Sequence, residues 1–248
     1  MKCPNLKALA PGCFALVVGG GSAYGAEENG NGFLDNVSGS LLFTTDYMFR
    51  SISNSNNRPA VQGDMNWSHD NGIYIGLWLS NTDFGGTGNS MELDPYIGIA
   101  RDIGETNFSF DLGYWSYNYP GSKSNLDYAE IYLTPSYSKD KLSISPSFWY
   151  ADNYFGEDFL DEVSAFAYEV TLGYDLPRNF SISGRIGEQT FEGRFDFLNF
   201  AYYDVGVTQT CGDFSFDLRW YDTDGVDSFF ASPKLTDGRW VFGVTRNF

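Results

Sequence analysis

The final stretch of the chain, RWVFGVTRNF at residues 239–248, alternates between apolar and polar side chains. A period of two residues is that of a β-strand, whose neighbouring side chains point to opposite faces of the sheet. The apolar parity of this stretch consists of Trp240, Phe242, Val244 and Phe248. The pattern therefore predicts a strand with one apolar face, and it raises the question of what that face contacts.

The same alternation recurs along the chain in segments close to the ~9–11 residues that a tilted strand needs to cross a bilayer. The connections between them alternate between long and tight, and the tight one at 69–72 contains an Asn-Gly hairpin signal. We predict an all-β fold, a transmembrane antiparallel β-barrel of about twelve strands with short periplasmic turns and longer extracellular loops. The predicted strands are 37–50, 59–68, 73–81, 90–100, 106–118, 127–137, 142–150, 164–175, 180–188, 200–209, 214–221 and 239–248.

A soluble β-sandwich or β-barrel is the alternative fold, in which the apolar faces would form a core. The opposite faces are rich in Ser, Asp, Glu, Asn and Gly, interleaved with Tyr and Trp, and such a lining suits water better than a packed core. Aromatic residues near the segment ends also favour the membrane barrel, where they would form girdles at the headgroups. The candidates for these girdles are Tyr47, Phe49, Trp67, Tyr117, Tyr119, Phe148, Tyr150, Tyr202 and Tyr203.

Composition excludes several other classes of protein. The mean hydropathy is -0.28 although 18% of the residues are aromatic, and no apolar run after the N-terminus approaches the roughly 18 residues of a transmembrane helix. The formal net charge of -17 repels nucleic-acid phosphates, so we expect no nucleic-acid partner.

The N-terminus has the pattern of a cleaved secretory signal peptide, residues 1–25. Lys2 and Lys7 precede a mostly apolar stretch, and small residues precede Ala26. We expect a short periplasmic N-terminal segment at 26–36, a barrel domain at 37–248 and export to a bacterial outer membrane. Cleavage would leave Cys211 as the one cysteine of the mature chain, so no internal disulfide is expected there.

The terminal strand also predicts a partner. A terminal Phe preceded by apolar residues at every second position is similar to the signal read by the outer-membrane assembly machinery, and here it comprises Trp240, Phe242, Val244 and Phe248. Arg246 departs from the pattern, because it lies on the parity expected to face outer-membrane lipid. An arginine there costs about 0–1 kcal/mol near the interface and about 2–4 kcal/mol at mid-membrane.

The stretch VSGSLLFTTDYMFRSIS at 37–53 resembles the TorF-type porins, a proteobacterial outer-membrane family. The resemblance rests on the acidic-Tyr-x-x-Arg pattern that ends at Arg50, and on ordered matches through 59–63, 71–78, 92–94 and 114–121. It implies a channel-like outer-membrane protein without naming a substrate. The chain departs from the family at Ser51, where Gly is usual, which leaves the geometry of the loop after Arg50 open.

The polar parity predicts a pore lining with an excess of acidic side chains, which would concentrate cations. We expect passive diffusion of small hydrophilic solutes with a cation preference, to which Glu92 and Asp94 contribute most. The alternative is a closed structural or adhesive barrel whose interior charges pair with each other. The candidate lining residues are Asp46, Arg50, Asp64, Glu92, Asp94, Asp111, Glu130, Glu169, Arg185, Asp217 and Arg219.

Catalysis is not expected. His69 is the only histidine, and its neighbours Ser68 and Asp70 cannot converge with it as a triad does. One histidine and one mature cysteine cannot form a zinc site, and we expect no cofactor. The stretch 222–227 resembles the start of a calcium loop but lacks the later Glu, so its affinity for divalent cations stays open, as does that of the acidic cluster at 152–162.

Overall fold

The computed structural model describes residues 36–158, 160 and 162–248. The predicted signal peptide and all but the last residue of the predicted 26–36 segment lie outside this range. Within the described residues, no helix is long and apolar enough to cross a membrane.

Twelve strands form one closed antiparallel barrel, which confirms the predicted fold class. Each barrel strand pairs with its neighbour along the chain, and the first barrel strand also pairs with the last. The barrel strands are β1 (Val37–Thr44), β4 (Ala60–Ser68), β5 (Ile73–Asn81), β6 (Met91–Asp102), β7 (Phe108–Tyr117), β8 (Tyr128–Lys139), β9 (Leu142–Ala151), β10 (Ala165–Leu176), β11 (Phe180–Phe191), β12 (Phe200–Cys211), β13 (Phe214–Asp224) and β14 (Arg239–Asn247).

The connections alternate in length as predicted, so the barrel has a short-turn end and a long-loop end. The turns at 69–72, 140–141, 177–179 and 212–213 are tight. The loop before β12 contains a 3-10 helix, Gly193–Leu198, and the loop before β14 contains a single helical turn, α1 (Pro233–Thr236).

The first predicted strand, 37–50, is wrong beyond Thr44. β1 ends there, and the chain turns into the barrel as two short paired strands, β2 (Met48–Phe49) and β3 (Ile52–Ser53). We call residues 46–55 the inserted hairpin. It leaves the barrel wall because the side chain of Asp46 accepts hydrogen bonds from the hydroxyls of Ser53 and Ser55, at 2.6 and 2.8 Å, instead of facing a neighbouring barrel strand.

The two faces of the barrel differ in polarity as the alternation predicts. The outward face carries exposed apolar side chains on every barrel strand, with Leu77 and Leu112 near the middle of β5 and β7. The inward face carries buried or half-buried polar and aromatic side chains, such as Gln62, Asn66 and Tyr96. This apolar exterior, together with a polar interior, is the reverse of the arrangement in a soluble β-barrel.

The terminal strand closes the barrel. Gly39 donates a backbone hydrogen bond to the Phe248 carbonyl at 2.8 Å, and Phe248 donates one back to the Gly39 carbonyl at 3.0 Å. The side chain of Phe248 points outward and is 68% exposed, in line with Trp240 and Phe242. Arg246 is exposed beside the ring of Phe214, the first residue of β13, so it lies next to a short turn rather than at mid-height.

Several predicted girdle aromatics instead lie inside the barrel, and that part of the prediction is wrong. Phe148, Tyr150 and Tyr203 are outward and exposed. The side chains of Tyr47, Tyr117, Tyr119 and Tyr202 are buried in the interior. The period-2 pattern did not separate the two groups because aromatic residues occur on both parities here.

Interior tyrosines lie over glycines on the neighbouring strand. In the strand register Tyr96 is opposite Gly76, Tyr74 opposite Gly98, and Tyr132 opposite Gly113. A Cβ added at Gly98 would lie 2.3 Å from the Tyr74 hydroxyl and 2.9 Å from the Leu112 carbonyl. Each ring therefore occupies the space that a side chain on the facing residue would need.

Gly98→Ala is expected to lower the yield of folded barrel strongly, because the backbone carbonyl of Leu112 cannot move away as a flexible side chain could. The matched control is Gly63→Ala, whose Cβ would meet only ordinary contacts at 3.6 Å or more. Heat-modifiable gel mobility after refolding measures the folded fraction of both variants. Equal folded fractions would contradict this account of the interior packing.

Candidate functional site: the barrel interior and its inserted hairpin

The tip of the inserted hairpin is a two-residue turn with an uncommon backbone. Arg50 and Ser51 have φ values of 46° and 61°, in the left-handed region that glycine adopts most easily. Ser51 is buried, and its hydroxyl donates a hydrogen bond to the Tyr203 carbonyl at 3.0 Å. Ser51, where the sequence departs from the family it resembles, thus keeps a glycine-like conformation and anchors the tip to β12.

Arg50 connects the hairpin tip to the far side of the barrel. Its Nη2 donates to both oxygens of Glu130 on β8, at 2.8 and 2.9 Å, and its Nη1 donates to Gln189 on β11. The Tyr117 hydroxyl donates to the same Glu130 carboxylate at 2.9 Å. Since β8 and β11 lie across the barrel from β1, the hairpin spans the lumen near the long-loop end.

Asp46 organises the hairpin rather than lining an open pore. Besides its bonds to Ser53 and Ser55, its carboxylate pairs with Arg239 at the start of β14, at 3.1 Å. Arg239 also donates to Asn57 and to the Lys234 carbonyl. These contacts fix the base of the hairpin to the last long loop.

A second set of contacts fixes the base of the hairpin to the loop after β5. The backbone N–H of Asp83 donates to the Asn54 carbonyl at 2.8 Å, and the Asp83 side chain pairs with Arg58 at 3.2 Å. The pKa of Asp83 is held below its usual value, first by the Gly85 N–H and then by the Asn56 amide, both of which donate to its carboxylate. The hairpin is therefore held both at its tip and at its base.

The interior acids of β8–β13 are paired with arginine, and we call this side the paired wall. Asp204 lies between Arg185 and Arg219, at 2.8 and 2.5 Å. Arg185 also contacts Glu169 at 3.2 Å, and Arg219 contacts Asp217 at 3.2 Å. The sequence analysis predicted that these arginines and their acidic partners Glu169 and Asp217 line the barrel interior. It missed Asp204, although Asp204 shares the inward parity of Tyr202 on β12.

The interior acids of β4–β7 form no ion pair within the described residues, and we call this side the acidic wall. Tyr96 donates to Asp64 at 2.9 Å, and Tyr74 donates to Asp111 at 2.5 Å. At the long-loop end, Tyr119 donates to Glu92 at 3.1 Å, and the indole of Trp115 donates to Asp94 at 3.0 Å. The partners of these four acids are therefore neutral hydrogen-bond donors.

This division determines where the formal charge of the interior lies. On the paired wall guanidinium groups neutralise the carboxylates, whereas on the acidic wall the tyrosines and tryptophan only donate hydrogen bonds. Asp64 and Asp111 are half-buried, but Glu92 and Asp94 are each only 1% exposed. The accessible part of the excess negative charge thus lies on one side of the lumen, at Asp64 and Asp111.

Comparisons with known proteins agree with this fold. A family model described as a bacterial protein of unknown function, Gcw_chp, matches residues 28–248. The chain belongs to the Gcw_chp family. No curated protein is significantly similar to it in sequence.

Solved structures with the same fold as this Gcw_chp member include two porins. The KdgM porin is 11% identical with a TM-score of 0.58, and the match covers 85% of this chain and 99% of that one. The NanC porin is 9% identical with a TM-score of 0.53, covering 85% of this chain and 98% of that one. A further structure is the KdgM porin in complex with disordered oligogalacturonate. It is 11% identical with a TM-score of 0.59, and the match covers 85% of this chain and 99% of that one.

The remaining sequence candidates of this Gcw_chp chain lie outside the lumen. His69 is in a short turn, where its Nδ1 accepts a hydrogen bond from the backbone of Asn71 at 3.1 Å. The carboxylates of Asp222 and Asp227 accept bonds from nearby backbone N–H groups. In the acidic cluster at 152–162, Asp161 falls outside the described residues. No group of three potential metal ligands occurs in the part of the chain that the structure describes.

Proposed function

We propose that this protein is an outer-membrane porin, a passive diffusion channel for small hydrophilic solutes with a preference for cations. The observation that carries the proposal is a closed twelve-stranded barrel with an apolar exterior and a charged, hydrogen-bonded interior. An apolar exterior suits outer-membrane lipid, and twelve strands enclose a wider interior than the eight that side chains can fill. The resemblance to TorF-type porins supports the same function.

Besides outer-membrane lipid, we propose the outer-membrane assembly machinery as a partner. Trp240, Phe242 and Phe248 present their side chains on the outward face of β14, and Val244 shares their parity. This surface is available for recognition on the outward face of the strand that closes the barrel.

The cation preference rests on the acidic wall. Asp64 and Asp111 are half-buried in the interior without an ion pair, and carboxylates in a confined aqueous pore raise the local concentration of cations. A polyanion such as the oligogalacturonate in complex with the KdgM porin would meet repulsion at this wall. Glu92 and Asp94 are nearly inaccessible from the lumen. We therefore expect Asp64 and Asp111, rather than Glu92 and Asp94, to contribute most to the cation preference.

The measurement is the reversal potential of the purified protein in planar bilayers under a salt gradient. We expect cation selectivity in the intact protein. In Asp64→Asn with Asp111→Asn, we expect the reversal potential to shift clearly toward zero, the value of a non-selective pore. At 0.1 M salt the Debye length is about 10 Å, so the shift should shrink as the salt concentration rises. The control is Asp70→Asn, an exposed turn residue outside the lumen. Anion selectivity, or an equal shift in the control, would contradict the proposal.

A closed structural or adhesive barrel is the second candidate function. It is favoured by the inserted hairpin, which spans the lumen and is held at its tip by Glu130 and Gln189. Single-channel recording separates the two candidates. Reproducible conductance steps support the porin, whereas their absence from well-folded protein supports the closed barrel.

A further inference from the structure

A cluster of buried acidic and aromatic side chains lies where the acidic wall meets the inserted hairpin, at the long-loop end of the barrel. We call it the Glu92–Asp94 compartment. Glu92 and Asp94 project from the same face of β6, two residues apart. Its surrounding aromatic side chains are Tyr47, Trp78, Trp115 and Tyr119.

The compartment carries two carboxylates without a countercharge. Both side chains are almost completely buried, and neither forms an ion pair with any arginine or lysine of the described residues. The nearest hairpin arginine, Arg50, is engaged by Glu130 instead. Buried carboxylates are ordinarily paired with a cation, bound to a metal or protonated, because an isolated buried charge is very costly.

One carboxylate oxygen also lacks a donor. The Tyr119 hydroxyl donates to Oε1 of Glu92, and the Tyr47 side chain interacts with the same carboxylate, but no described residue donates to Oε2 with the geometry of an ordinary hydrogen bond. In Asp94, Oδ2 accepts from the Trp115 indole and Oδ1 accepts a longer bond of 3.4 Å from the Asn118 backbone. Each carboxylate oxygen can accept two hydrogen bonds, so the compartment retains unused acceptors.

The aromatic side chains make the compartment suitable for an organic cation. The ring of Tyr47 packs 5.4 Å from that of Trp78, and Trp78 is opposite Asp94 in the strand register. Aromatic faces attract cations, and a primary ammonium group brings three N–H donors on a compact charge. A hard metal ion would take more oxygen ligands, and the compartment offers only two carboxylates.

We propose that the Glu92–Asp94 compartment binds the protonated amine of an amine-bearing solute. The ammonium group donates to Glu92 Oε2 and to the Asp94 carboxylate, and its alkyl part lies against Tyr47 and Trp78. This inference rests on the proposed porin function and deepens it, because it names cationic amines as the solute class for which the channel has a specific site.

The inserted hairpin controls access to the compartment. Tyr47 is buried and belongs to the hairpin, so an amine reaches the carboxylates when this residue moves away from Trp78. The two tryptophans beside Asp94 then report binding through their fluorescence.

The experiment is titration of the folded protein in detergent micelles with butylammonium, followed by calorimetry and tryptophan fluorescence. We expect saturable binding that butanol, which has the same alkyl chain without the charge, does not reproduce. In Glu92→Gln with Asp94→Asn we expect the affinity to fall by roughly tenfold or more, because charged hydrogen bonds are lost. The matched control, Asp64→Asn with Asp111→Asn, removes the same formal charge from the same wall and should retain the affinity.

Several results would overturn the site: no binding to the wild-type protein, equal loss in both double variants, or binding of potassium ions with the same affinity. Heat-modifiable mobility verifies folding, and the single variant Glu92→Gln keeps the test valid if the double variant does not fold. Bilayer recordings of the same preparations separate this inference from the porin proposal. Conductance without butylammonium binding rejects the site alone, whereas binding without conductance rejects the porin and retains the site.

Discussion

Replacing residues 48–53 by two glycines, together with Glu130→Gln, is expected to raise the single-channel conductance several-fold. The replacement removes the hairpin tip, including the guanidinium that reaches Glu130 and Gln189 across the lumen. The Glu130 substitution prevents a buried carboxylate from being left without its partner, which would itself destabilise the barrel by about 3–5 kcal/mol.

The matched control for this variant is Arg58→Ala. Arg58 lies in the same loop and carries the same charge as Arg50, but its side chain is 70% exposed and its ion pair with Asp83 lies at the surface. A surface pair of this kind contributes about 0–1 kcal/mol, so the control should conduct like the wild type. If the shortened protein folds and its conductance is unchanged, the hairpin does not restrict the lumen.

Leu112→Arg is expected to destabilise the barrel by about 2–4 kcal/mol, the cost of an arginine facing lipid at mid-membrane. Leu112 is outward and exposed, and it lies near the middle of β7. Urea unfolding in lipid vesicles measures the free energy of unfolding. Leu77→Arg on β5 should behave in the same way, since Leu77 is also outward and near the middle of its strand.

The control on the opposite face is Ser109→Arg. Ser109 is half-buried near the short-turn end of β7, where the interior is less filled, and an arginine there can reach water. Ser80 shares this parity but is unsuitable, because it is only 1% exposed and lies opposite Glu92. Equal losses for Leu112→Arg and Ser109→Arg would show that the assignment of inward and outward faces is wrong.

The barrel itself could be predicted from the sequence because its determinants are local. Alternation assigns each strand its outward face, and signals such as the Asn-Gly pair before Ile73 mark the tight turns. The order of neighbouring strands then follows from short connections, as the pairing of β4 with β5 illustrates. A closed barrel also requires the last strand to pair with the first, as β14 does with β1.

The inserted hairpin could not be predicted because the alternation continues through it. Thr45, Tyr47 and Phe49 extend the apolar parity of β1, so the pattern alone indicates one long strand. What ends β1 is the set of bonds that Asp46 forms with Ser53 and Ser55, which depend on the folded loop. The left-handed turn also lacks its usual signal, since Arg50 and Ser51 occupy positions that commonly carry Asn and Gly.

The charges of the interior were predicted as a set, but their partners were not. Parity places Arg185, Arg219 and Asp217 on the inward face, where the structure shows both arginines in ion pairs with interior acids. Which acid meets which arginine depends on the stagger between strands, and alternation carries no information about stagger. Arg239 was missed for another reason, since it contacts Asp46 only because the hairpin turns inward.

The opposed tyrosines and glycines of the interior have a consequence for the evolution of the chain. Tyr96 and Gly76 exclude each other's volume, so a larger residue at 76 is acceptable only with a smaller one at 96. Tyr132 with Gly113 is constrained in the same way. In related sequences the two positions of each pair should therefore change together. Where the glycine of one strand has become a larger residue, the tyrosine of the neighbouring strand should have become a smaller one.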